Sequence, residues 1–137
     1  MTLYLDSSSL VKLYAAEDGS DVVRALVRRA NLTATSSIAY AEVRSTLARA
    51  RRERRITAAE HALWKQRFNA DWSTFLSLPV TDALGESAGA LAETHALRGA
   101  DAIHLATFVH LLQTAEDDEI EFSSFDDRLN KAARSLG

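Results

Sequence analysis

The sequence predicts an α/β protein, a three-layer α/β/α sandwich with a central, mostly parallel sheet. Two observations carry that prediction. Short apolar runs of strand type alternate with longer segments of helical period along the chain. No hairpin signal joins one apolar run to the next, so neighbouring strands are expected to be parallel, with helices crossing between them. At 137 residues the chain suits one domain, 1–137. A chain of that size buries roughly two thirds of the surface it exposes when unfolded, enough for a real core.

The elements follow in order. Leu3-Tyr4-Leu5 is a strand that runs into Asp6-Ser7-Ser8-Ser9, a set of helix-start residues. A short helix through Leu10, Val11, Leu13 and Tyr14 stops before Asp18-Gly19. Ser20 and Asp21 open the next, with Val22, Val23, Leu26 and Val27 on its apolar side. Leu32 to Thr35 reads as the second strand, and Ser36-Ser37 as the N-cap of a helix from Ile38 to about Arg54. Thr57 to Phe75 is helical, and its Trp64, Phe68, Trp72 and Phe75 form a stripe of core or subunit-contact type. Leu76 to Val80 is a third strand, kept short or at an edge by Pro79. Thr81 or Asp82 caps a helix carrying Leu84, Ala88, Leu91 and Ala92. Another helix runs from about Asp101 to Gln113. Ile120 to Phe125 is the last strand, and Asp126 begins the last helix.

Composition narrows the chemistry. With 47% apolar and 26% charged residues, one proline and five glycines, the chain is of ordinary globular type without long linkers. It has no cysteine, which removes disulfides and thiolate metal sites and suits a reducing compartment. No signal peptide is visible at Met1 to Asp6, and the longest apolar stretch, Ala102 to Leu112, is too short for a membrane span. A cytoplasmic protein is expected. The net charge of −3 gives no global attraction to nucleic acid, but residues 49–55 are a basic run and residues 116–121 an acidic one. Each has a plain reading as a solvated face, and the basic run could also meet phosphates.

Four acids stand out by position. Asp6 and Asp126 each follow a strand, where open α/β sheets bind their ligands. Asp101 lies near a helix start just after Gly99, and Glu42 lies one turn into its helix on the apolar side marked by Ile38 and Ala39. Asp6, Asp101 and Asp126 also read as helix caps when taken singly. Glu42 is harder to explain away, because an inward carboxylate needs a partner or a cation. Two carboxylates about 4 Å apart repel by ~4 kcal/mol at an effective dielectric of roughly 20, so a converging set calls for a metal ion. An all-oxygen set suits Mg²⁺ or Mn²⁺, and with it phosphoryl transfer or phosphodiester hydrolysis.

The order Asp6, Glu42, Asp101, Asp126, in the contexts LDSSSLVKLY, YAEV, LRGADAIHLA and SFDDRL, closely resembles the PIN domain, and within it the VapC-type toxins. The resemblance runs nearly end to end, and Leu97 to Ala106 is its most specific segment. It implies a PIN-like fold and a metal-dependent endoribonuclease, the toxin of a toxin–antitoxin pair. The metal ligands would be Asp6, Glu42, Asp101 and Asp126, cutting RNA to 5′-phosphate and 3′-hydroxyl ends. Ser8 matches the family's small hydroxyl residue two after the first acid. Ser124 stands where the family often has Thr, and keeps the hydroxyl. Asp127 competes with Asp126 for the fourth place, and Asp126 is favoured because it follows Phe125. The resemblance further implies a VapB-like antitoxin and a toxin homodimer.

Other residues carry less. His104, within an apolar helix, reads as a hydrogen-bonded helix histidine before it reads as a general base, and His61, His95 and His110 show no ligand spacing. Lys12 reads as a surface lysine, with a phosphate contact as the alternative. Arg44, Arg51, Arg52 and Arg55 fall roughly along one stripe, which would meet either an RNA backbone or an acidic antitoxin tail. Haloacid-dehalogenase phosphatases need a second Asp two after the first, where Ser8 stands here. Receiver domains need paired N-terminal acids that are missing. The remaining alternative is a catalytically silent PIN-like module that binds RNA or protein.

Overall fold

A computed structural model describes residues 1–115 and 119–136. The acidic run of the sequence therefore lies partly outside the described residues. Strand β1 (Thr2–Leu5) leads into a single turn of helix, α1 (Ser7–Leu10), and a 3-10 turn at Val11–Leu13. Then come α2 (Ser20–Arg29), β2 (Leu32–Ser36), α3 (Ala39–Arg52), α4 (Ala58–Trp72), β3 (Leu76–Leu78), α5 (Asp82–His95), α6 (Gly99–Thr114), β4 (Ile120–Ser123) and α7 (Asp127–Leu136).

The four strands form one sheet in the order β3-β2-β1-β4, and every pairing is parallel. β1 therefore lies inside the sheet, and all four of its residues are buried. Its side chains alternate between two cores, as the pleat of a strand requires. Leu3 and Leu5 pack with Leu10, Val23, Val43, Leu47, Trp64 and Phe68 on one face. Tyr4 packs with Ala34, Leu105, Phe108, Leu111 and Leu129 on the other. These two cores make the three layers: α1 to α4 cover one face, and α6 and α7 the other. α5 packs on α6 through Ala88, Ala102 and Ala106. The aromatic stripe of α4 belongs to the first core, with Phe68 ringed by Tyr14, Tyr40 and Trp72.

Several boundaries differ from the sequence reading, each for a local reason. Ser36 and Ser37 do not cap α3 in the usual way. Ser36 ends β2, Ile38 takes the cap position, and the Ser36 hydroxyl accepts from the Ile38 N–H instead. α6 begins at Gly99 with Arg98 at its cap, so Asp101 stands inside the first turn. β4 stops at Ser123, because Ser124 to Asp126 turn away to serve the site described next. α4 ends at Trp72 and starts at a capping box, in which Thr57 and Glu60 satisfy each other's backbone N–H groups. Of the two candidates for the α5 cap, Thr81 holds the position and accepts from the Leu84 N–H.

Candidate active site

Parallel strands deliver their carboxyl ends to the same edge, so the residues after β1, β2 and β4 meet there. Asp6 leaves β1 almost fully buried. Its Oδ1 accepts from the Ser9 N–H (3.0 Å) and from the Ser8 hydroxyl (2.7 Å), and its Oδ2 accepts from the Ser124 hydroxyl (2.6 Å). The first bond caps α1, so the structural reading of Asp6 holds alongside any other.

The two serines also tie the ends of β1 and β4 together. Ser8 Oγ accepts from the Phe125 N–H, and Ser124 Oγ accepts from the Asp126 N–H, both at 3.0 Å. Each hydroxyl therefore donates to Asp6 and accepts from the loop that carries Asp126. That loop is braced from the side as well. Gly19, at φ +91°, lies under the Phe125 ring so closely that a Cβ would stand 2.6 Å from it, and the Lys12 ammonium sits 4.5 Å from the ring centroid. Lys12 is otherwise bound to Glu17 and to the Asp18 carbonyl, which makes it a bracing residue and not a free phosphate contact. Asp126 itself accepts from the Leu129 N–H at 2.8 Å and caps α7, with exposed Asp127 in the first turn behind it.

Asp101 faces this loop from α6. Burial raises its pKa above the ordinary carboxylate value. The charges of Asp126 and Asp6 add to the rise, His104 opposes it, and Glu42 contributes a further rise. Negative charges from three separate parts of the chain thus act on one carboxyl group. Glu42, on α3, is held by His104, whose Nε2 lies 2.7 Å from its Oε1. An open cleft of about 540 Å³ lies over Asp101, Asp126 and Asp127, rimmed by Arg98 and Arg128. As the side chains stand, no three His, Asp or Glu groups among the described residues are close enough together to clasp an ion. The donor chemistry nevertheless fits a hard divalent cation: carboxylates only, on mutually repelling groups, one of which is pushed toward its protonated form.

Sequence reasoning missed the neighbours. Arg98 and Arg128 escaped because cleft-rim arginines look like any surface arginine. That His104 is hydrogen-bonded inside the apolar helix α6 was expected, but its partners Tyr4 and Glu42 were not. The arginine stripe is divided. Arg44 packs over the Tyr40 ring and donates to its hydroxyl, and Arg55 pairs with Glu53. Arg51 and Arg52 are exposed and form no ion pair among the described residues.

Comparison with known proteins gives the class. A sequence model of the PIN domain matches residues 3–135, and the chain belongs to the PIN-domain family. Its particular likeness is to ribonucleases VapC45 and VapC49 of Mycobacterium tuberculosis (strains CDC 1551 / Oshkosh and ATCC 25618 / H37Rv). Each is 35% identical over 135 residues, covering 98% of this chain and 91% of the relative. Two solved structures share the fold. FitAcB from Neisseria gonorrhoeae aligns with a TM-score of 0.68 at 19% identity, over 96% of this chain and 93% of that one. A toxin–antitoxin complex from Klebsiella pneumoniae gives 0.62 at 22%, over 90% and 86%. No helix among the described residues is long and apolar enough to cross a membrane.

Proposed function

We propose that the chain is a Mg²⁺- or Mn²⁺-dependent endoribonuclease, acting in the cytoplasm as the toxin of a toxin–antitoxin pair. The observation that carries the reading is the raised Asp101 carboxyl, on which Asp126, Asp6 and Glu42 all act. Full-length similarity to proteins named as VapC ribonucleases supplies the reaction class. Asp6, Asp101 and Asp126 would hold the ion, with Glu42 binding a second ion or orienting the attacking water. Ser8 and Ser124 fix the Asp6 carboxylate, and Arg98 and Arg128 offer charge to a phosphate at the cleft. A cation held by these acids would supply charge stabilisation at phosphorus and a lower pKa for water. Water adds to phosphorus and the P–O3′ bond breaks, leaving a 5′-phosphate and a 3′-hydroxyl. Arg51 and Arg52 are free to meet RNA or an acidic antitoxin segment, and a second copy of the chain completes the homodimer.

One observation favours the silent binding module: Asp6, Glu42 and Asp126 are bonded to protein partners, and no three acids among the described residues are spaced for an ion. Cleavage of end-labelled total RNA with Mg²⁺, Mn²⁺ or EDTA, beside Asp101→Asn, separates the two. The nuclease reading expects discrete fragments that need metal and vanish in the variant. Identical behaviour of wild type and variant, without cutting, gives the binding module the field.

A further inference from the structure

His104 is fully buried on α6, one turn beyond Asp101, and both of its ring nitrogens are bonded. Tyr4 Oη lies 2.8 Å from Nδ1, and Glu42 Oε1 lies 2.7 Å from Nε2. Hydrogen-bond chemistry orders this chain. A carboxylate has only acceptors, so Nε2 carries the hydrogen, and in that tautomer Nδ1 accepts. The Tyr4 phenol supplies that hydrogen across 2.8 Å. Tyr4 is itself immovable: it lies in the middle strand of the sheet, its ring stacked on Phe122 at 5.6 Å. Glu42 Oε2 has no protein partner among the described residues, and the side chain keeps 28% of its surface exposed.

We propose that His104, held in one tautomer by Tyr4, is a positioning residue that fixes the Glu42 carboxylate at the acid cluster and so sets the affinity for a divalent cation. The inference rests on the metal-dependent reading above. A glutamate has three side-chain torsions to fix before it can serve a site, and a bond to one oxygen removes that freedom in advance while leaving the other oxygen available.

The test compares His104→Asn with His104→Gln. Gln carries an N–H donor to about the place of Nε2, whereas Asn reaches only the place of Nδ1. Mn²⁺ affinity by titration calorimetry is the main readout, with cleavage rate and melting temperature beside it. His104→Asn should weaken Mn²⁺ binding by about tenfold or more, the usual scale for losing a partner of a ligating side chain. His104→Gln should restore most of that affinity, and His104→Asn should cost nothing further on a Glu42→Ala background. Tyr4→Phe, which keeps the stacked ring, gives a second variant and should weaken binding in the same direction. Equal losses with and without Glu42, or an Asn variant that binds Mn²⁺ like wild type, overturn the inference alone. Wild-type protein that neither binds Mn²⁺ nor cuts RNA overturns the nuclease reading and the inference together.

Discussion

At Asp101 the fold holds a carboxylate where its charge costs stability. Its pKa in the folded chain lies above the unfolded value, because burial and neighbouring acids disfavour the charge. Between those two values the folded chain binds more protons than the unfolded one, so stability falls as pH rises through that window. Above it, the ionised group is a standing cost. Asp101→Asn should therefore melt at a higher temperature than wild type near neutral pH without divalent cation, while losing cleavage. The difference should close as acid protonates the wild-type group, which melting curves across pH would show. At this scale the sequence was partly legible. The acids announced themselves by following strands or opening helices, but the groups that hold them did not. Ser124 and Asp6 are 118 positions apart, and His104 and Glu42 are 62. No local pattern connects residues at such separations.

The elements divide into those that local chemistry defines and those that packing defines. α4 begins at a Thr-x-x-Glu box, and the sequence reading placed its start at Thr57, the cap residue of that box. β3 was readable as short or at an edge from Pro79, and it is the edge strand. The strand order was not readable, since it depends on which faces fit and not on any single run of residues. The same division sets what substitutions cost. Thr57→Ala removes half of the box and should cost about 1 kcal/mol. Phe68→Ala empties a fully buried site among Tyr14, Tyr40 and Trp72, and should cost about 3–5 kcal/mol. Urea unfolding of the two variants checks both numbers, and a Phe68 cost no larger than that of Thr57 would contradict the packing described for α4.

For the whole molecule, the fold brings negative charge to one end of the sheet, so a bound cation should stabilise the entire chain. Mn²⁺ at a hundred times its dissociation constant would add about 2.7 kcal/mol. For a chain of this size that corresponds to a rise in melting temperature of roughly 6–10 °C. Asp101→Asn should show little of that rise, and an equal rise in both proteins would place the ion elsewhere. The order of the sheet also has a consequence for how the molecule comes into being. β1 is made well before β4, yet they are neighbours, and the serine bonds that orient Asp6 join them. A growing chain thus carries its first acid long before the strand that completes its surroundings exists. The acid-bearing end of the sheet cannot be completed until β4 has left the ribosome, so the first acid exists for an interval without the partners that orient it.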